Sequence, residues 1–246
     1  SSIFIEANEA VHPLSNNINL LISAGGSRFY GFSGQNNQEV LQSTSSRCLA
    51  TAMDMAPSGV VKSSAYDGSG LQEVDAEQPL CLKVGEQPAD SRGIAVSGDG
   101  TLWVTSDFLS SPSNSQFTRL FHVEQDGTVI SQVEISGSTD QVFGIDFGPD
   151  GELYGVEAKT SSHQLVRINL QTGVTTVVGE LEGTSRDLIF DIDIDQNGIL
   201  RFFDDETIPG TLREHDLTGS LLRSVELPSV CRSCGFVGIV TNTSDE

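Results

Sequence analysis

The chain has 246 residues, 34 of them acidic and 13 basic, for a formal net charge of −21. That charge repels phosphate backbones and anionic lipid, which argues against nucleic acid and membrane surfaces as partners and reads first as a contribution to solubility. Hydrophobic residues form 37% of the sequence in short runs. They suffice for a packed core, and no run approaches the roughly 18 apolar residues of a membrane-spanning helix.

The chain starts at Ser1 without an initiator Met, which fits a mature secreted form. Residues 1–17 have no assigned place. Ile18 to Ser23, Arg28 to Ser33 and Gln38 to Ser43 read as strands. Thr51 to Met55 begins a pattern that recurs downstream: Arg92 to Thr105, Phe143 to Val156 and Phe190 to Phe203 align with one another as strand, tight turn, strand. Asp99-Gly100, Asp150-Gly151 and Asn197-Gly198 fill the turns, and these pairs predict two-residue hairpins with positive φ at both central positions. A second hairpin follows each, as in Arg119 to Val133, Gln164 to Val178 and Thr211 to Leu227. Four short strands per unit of about 45 residues is the pattern of a propeller blade.

Val237 to Thr241 repeats the first strand once more, with no room for partners before Glu246. Five first strands therefore stack. Their second column reads Ala52, Gly93, Gly144, Asp191, Gly238 and their third Met53, Ile94, Ile145, Ile192, Ile239. A small residue followed by an apolar one suits the crowded inner ring, where backbones approach closely. The N-terminal strands lack a first strand and the C-terminal first strand lacks partners, so the two ends are expected to complete one blade. The prediction is a single all-β domain over 1–246: a five-bladed β-propeller of four-stranded antiparallel sheets, closed by its N- and C-terminal strands, with six blades as the alternative. At fold level, Gly144 to Gly179 resembles blades of NHL-type and gluconolactonase-like propellers. That resemblance covers about three blades and implies either a binding scaffold or a metal-dependent hydrolase.

Asp54, Asp146 and Asp193 share one column of the first strands, with Ala95 and Val240 in the other two. Carboxylates converging on an axis can hold Ca²⁺ or Mg²⁺, or divide into acid and base; equally, a repeated Asp can accept hydrogen bonds between blades. Asp191 replaces a small residue in its column and is the foremost candidate for a channel-facing acid. An axial ion, Ca²⁺ above all, would use Asp146, Asp191 and Asp193. Asp193, Asp195, Asn197, Gly198 and Asp204 also fit the spacing of an EF-hand loop, but their alignment with the other hairpins makes this segment a turn.

The longer loops, Asp107 to Gln116, Glu157 to His163 and Asp204 to Gly210, share a face with the blade connections, among them Glu182 to Asp187 and Pro228 to Cys234. This face is expected to bind the partner, with Glu157, His163, Arg186, Asp187, Asp204 and Asp205 as candidate contacts. His122 and His215 fall within third strands and read as packing residues. The four cysteines, Cys48, Cys81, Cys231 and Cys234, fit two disulfides of an oxidising compartment, Cys48–Cys81 with Cys231–Cys234 being the favoured pairing. The functional expectation is a monomeric, secreted (extracellular or periplasmic), non-enzymatic recognition module for a glycan or protein. The alternative is a divalent-metal-dependent hydrolase or lactonase.

Overall fold

A computed structural model describes residues 18, 20–24, 28–33, 38–44, 50–64, 70–75, 80–86, 91–110, 115–137, 141–159, 162–184, 189, 191–204, 210–227 and 237–241. Blade 1 contains β1 (Leu20–Ala24), β2 (Arg28–Ser33) and β3 (Gln38–Thr44). Blade 2 is β4 (Ala52–Met55), β5 (Val61–Ser64), β6 (Leu71–Asp75) and β7 (Leu80–Gly85). Blade 3 is β8 (Ser91–Val96), β9 (Leu102–Ser110), β10 (Ser115–Val123) and β11 (Val129–Glu134). Blade 4 is β12 (Val142–Phe147), β13 (Leu153–Ala158), β14 (His163–Ile168) and β15 (Thr175–Leu181). Blade 5 is β16 (Asp193–Ile194), β17 (Ile199–Asp204), β18 (Thr211–Asp216) and β19 (Leu221–Glu226). The last strand, β20 (Val237–Thr241), returns to blade 1 and pairs antiparallel with β1, Ile22 opposite Ile239 and Leu21 opposite Val240. Five four-stranded antiparallel sheets result, as the repeat predicts, and the tail of the chain supplies the inner strand that its head lacks.

The apolar residues explain why the sheets stack face to face. Their alternation gives each blade two apolar faces, and the core divides into five clusters, one between each neighbouring pair of blades. Between blades 5 and 1, for example, Phe203 and Leu212 meet Ile22, Tyr30 and Ile239. At the inner ring the small residues of the second column are sterically required. A Cβ on Gly144 would lie 2.8 Å from the Ile192 nitrogen and 2.9 Å from Asp191. Blade 4 therefore touches blade 5 backbone to backbone.

The first hairpin turns differ from the two-residue form. Gly100 N–H bonds to Ser97 O and Ser97 N–H to Thr101 O, and Gly100 takes φ +84°. This is a three-residue loop ending in a left-handed glycine, repeated at Gly151 and Gly198. The Asp supplies a side-chain acceptor for the backbone N–H of Thr101, and the glycine takes the positive φ.

At the outer edge, every pairing of a third with a fourth strand carries a register shift, at Gly31/Phe32, Leu71/Gln72, His122/Val123, Leu165/Val166 and Glu214/His215. Each turn between these strands also meets the blade before it in blades 3 to 5. A Cβ on Gly173 would fall 2.1 Å from Glu134 O, and Gly127 and Gly219 stand likewise against Glu86 and Glu180.

Candidate functional site at the axis

The inner strands run toward the tight turns, so the Asp column lies at that mouth of the axis. There Asp54, Asp146 and Asp193, with Asp195 and Thr241, line a cavity of about 210 Å³ whose rim is formed by hairpin residues including Gly98 and Pro149. The described cavity thus opens on the face opposite the long loops.

Each of these carboxylates reaches the next blade. Asp54 accepts the Val96 N–H at 2.5 Å and Asp146 the Ile194 N–H at 2.5 Å. Asp193 accepts the Thr241 N–H at 2.8 Å together with the Thr241 hydroxyl. The second oxygens of Asp54 and Asp146 take the N–H of their own successors, Met55 and Phe147, each at 2.6 Å. The two blades without this Asp use a hydroxyl on the second strand. Thr105 Oγ1 accepts the Gly93 N–H at 2.8 Å and donates to Phe143 O at 2.9 Å. Ser23 Oγ accepts the Gly238 N–H at 3.0 Å and donates to Ala50 O at 2.7 Å.

Asp191 is buried and stands apart from the residues that line the cavity. Its Oδ2 accepts the N–H groups of Met53 and Ile239, each at 2.8 Å, so an acid of blade 5 ties blades 1 and 2 across their seam. Every seam of the ring therefore carries at least one side-chain hydrogen bond. These serve backbone groups that inner-ring burial would otherwise leave unpaired.

The electrostatics follow from that crowding. Burial raises the Asp54 pKa to about 8, opposed by the N–H of Val96 and reinforced by the charge of Asp193; a hydrogen bond from the Asp146 carboxyl also opposes it. Burial also lifts Asp146 well above the usual carboxylate range, with Asp54 and Asp193 adding to the rise. Asp191 is raised well above that range, and Asp193 is raised too, in each case with burial as the largest cause. For a divalent cation the fit is poor: the oxygens already face backbone donors that an ion would have to displace. Among the described residues, no group of three or more His, Cys, Asp or Glu is arranged to hold a metal.

The remaining candidates are dispersed. Asp195 accepts the N–H groups of Asn197 and Ile199 and pairs with Arg201 at 2.9 Å, as a hairpin turn requires. Glu157 and His163 are both buried but do not oppose each other: Glu157 opposes Gln164, and His163 opposes Ala158. Pleating sends them to opposite faces of blade 4. The N–H of His163 donates to Thr184 Oγ1 at 3.2 Å, and Lys159 stands 3.9 Å from Glu157. Asp204 receives Arg213 through Nε at 2.9 Å and a second guanidinium nitrogen at 2.8 Å. Arg186, Asp187 and Asp205 lie outside the described residues, as do Cys48, Cys231 and Cys234. Cys81 is disulfide-bonded. His122 stacks on Trp103 and His215 on Phe202, both packing roles.

Five sheets around a hydrogen-bonded axis make this chain a five-bladed β-propeller. No family model matches it, and no curated protein matches it significantly. Its fold is similar to that of a chain in the crystal structure of a nidogen/laminin complex, with TM-score 0.59 and 13% identity, covering 90% of this chain and 97% of that one. It is also similar to a gluconolactonase from Xanthomonas campestris, with TM-score 0.55 and 17% identity, covering 85% and 72% of the two chains. A Bacteroides caccae protein of unknown function matches with TM-score 0.53 and 15% identity, over 92% and 98%. The resemblance to NHL-type and gluconolactonase-like propellers thus holds at the level of the fold.

Proposed function

We propose that the chain is a non-catalytic, secreted recognition module that binds a glycan or a protein through its long-loop face. The observation that carries this reading is the use of the axial carboxylates: Asp54, Asp146, Asp191 and Asp193 each accept a backbone N–H from a neighbouring blade. The acids best placed for metal-assisted hydrolysis act as structural acceptors. The connections between second and third strands, shorter than the sequence suggested because β9, β10, β13, β14 and β17 extend into them, comprise 111–114, 159–162 and 205–210, and their Ser, Thr, Asn and Asp residues are read as the hydrogen-bonding groups of this face. The likeness to a chain from a nidogen/laminin complex agrees with a protein-binding use of this fold.

The experiment combines a glycan array and binding assays against purified extracellular-matrix proteins with a variant whose 111–114 connection is replaced by Gly and Ser. Specific binding that this variant loses while its melting temperature holds supports the reading. Turnover of lactones by the unaltered protein, abolished in Asp146→Asn, would overturn it in favour of a hydrolase.

A further inference from the structure

We infer that Asn197-Gly198, in the turn between β16 and β17, is a site of spontaneous covalent modification: it loses ammonia and passes to aspartyl and isoaspartyl forms, which sets a further negative charge at the mouth of the axial cavity.

The residue pair supplies the first ground. Of the asparagines in the chain, Asn197 is the one followed by glycine. A glycine has no Cβ to shield its backbone nitrogen and can take the strained conformation that ring closure demands. The Gly198 nitrogen attacks Cγ of Asn197; the N–Cγ bond forms, the bond from Cγ to Nδ2 breaks, and Nδ2 leaves as ammonia with the proton of the Gly198 N–H. The product is a cyclic imide. Water that opens the ring at Cγ gives aspartate, and water that opens it at the main-chain carbonyl leaves the chain running through Cβ and Cγ, one carbon longer.

Comparison with blades 3 and 4 supplies the second. Asp99 and Asp150 stand at the same place in their turns and are occupied. Asp99 accepts the Thr101 N–H at 3.0 Å and the Ser97 hydroxyl, while Asp150 accepts the Glu152 N–H at 3.2 Å and the Tyr154 hydroxyl at 3.0 Å. In blade 5 Asp195 takes over, accepting the N–H groups of Asn197 at 2.8 Å and Ile199 at 3.0 Å. Asn197 is left exposed, and its carboxamide has no hydrogen-bond partner among the described residues.

The nucleophile is held by one bond, from the Gly198 N–H to Asp195 O at 2.9 Å. That bond breaks when the hairpin opens, and this hairpin is lightly paired. β16 has two residues, where the other inner strands have four to six. It meets β17 only at Asp193–Arg201 and Ile194–Leu200. Reaction therefore proceeds through local opening of this turn while the rest of the ring stays closed. Aspartate at 197 reproduces the Asp-Gly of the other turns, whereas the lengthened isoaspartyl chain loses the bond from Gly198 to Asp195. Either product places a carboxylate next to Asp195 and Gln196, which line the cavity.

The intact chain held at about pH 8 and about 37 °C, sampled over days and mapped by peptide mass spectrometry, tests this. Conversion at Asn197 is expected to run at least about tenfold faster than at Asn169, whose side-chain oxygen accepts the N–H groups of Gln171 and Thr172 and whose successor is leucine. Conversion at 197 no faster than at 169 overturns the proposal. Total isoaspartate, measured by enzymatic methylation of the isoaspartyl carboxylate, is expected to fall by more than about half in Asn197→Gln, whose longer side chain would have to close a larger ring. An undiminished total in that variant overturns the proposal as well.

Discussion

Ser23 and Thr105 hold equivalent places in blades 1 and 3: each hydroxyl takes an N–H from a glycine of its own inner strand and donates to a carbonyl on the way into the next blade. These are the two blades whose inner strands carry Val240 and Ala95 where the others carry Asp. Thr105→Val keeps the shape and leaves a buried N–H and a buried C=O unserved. It is expected to cost about 1–3 kcal/mol, read as a lower urea midpoint at unchanged slope. Adding Ser23→Ala should lower the midpoint further by nearly its own separate amount, because the two hydroxyls share no partner.

Asp54 links stability to pH in the direction opposite to most carboxylates. Its pKa is 3.8 when exposed and about 8 in the folded chain, mainly through burial. Below the lower value both states bind the proton, and the stabilising contribution is complete. As pH rises toward about 8 the unfolded chain releases the proton while the folded one retains it, so this contribution is lost across that window. Melting temperatures recorded from about pH 4.5 to about pH 8.5 are expected to decline, and Asp54→Asn should flatten the decline. A profile as steep in the variant would show that Asp54 is not its source.

Two turn glycines separate conformational strain from steric exclusion. Gly100 has φ +84° and open space where a Cβ would go, so Gly100→Ala should cost only the left-handed penalty, about 1–2 kcal/mol. Gly173 has φ +68° and Glu134 O only 2.1 Å from the added carbon. Gly173→Ala must push blade 4 off blade 3 and is expected to cost clearly more. Denaturant titration of the pair measures the difference, and equal costs would deny the rim contact any role.

Position in the seams sets the cost of losing apolar groups. Ile239 is fully buried in the cluster between blades 5 and 1, and Ile239→Ala should cost about 2–5 kcal/mol. Leu222, on an outer strand and 53% exposed, should tolerate Ser within about 0.5 kcal/mol. Thermal unfolding of the two variants tests the ranking.

The blades were legible because each repeats the same local devices: a small-apolar pair on the inner strand, a turn glycine, and alternating apolar residues on the strands that follow. Ring closure was legible from a surplus first strand at one end and a missing one at the other. The column of Asp54, Asp146 and Asp193 was visible too, and its role as a set of acceptors between blades was one of two readings it allowed. Ser23 and Thr105 escaped notice because they lie on second strands and their bonds pass to inner strands and across seams. Comparing second strands in the blades that lack the Asp is the signal that would have found them. Glu157 and His163 look adjacent along the chain, yet a one-residue difference in pairing puts them on opposite faces, and the loop geometry that sets this register is not written in residue types. The position of the cavity was implied by the Asp column, which stands at the turn end of the inner strands, while attention to loop length pointed to the other mouth.

The displaced pairing found in the outermost strands of all five sheets bears on how copies of the chain behave when crowded. A straight edge would serve as a template on which an incoming backbone could zip up residue by residue; here the spacing of donors and acceptors slips partway along each one. Concentrated solutions should therefore resist the edgewise growth of fibres, leaving the exposed valines of those strands as harmless surface.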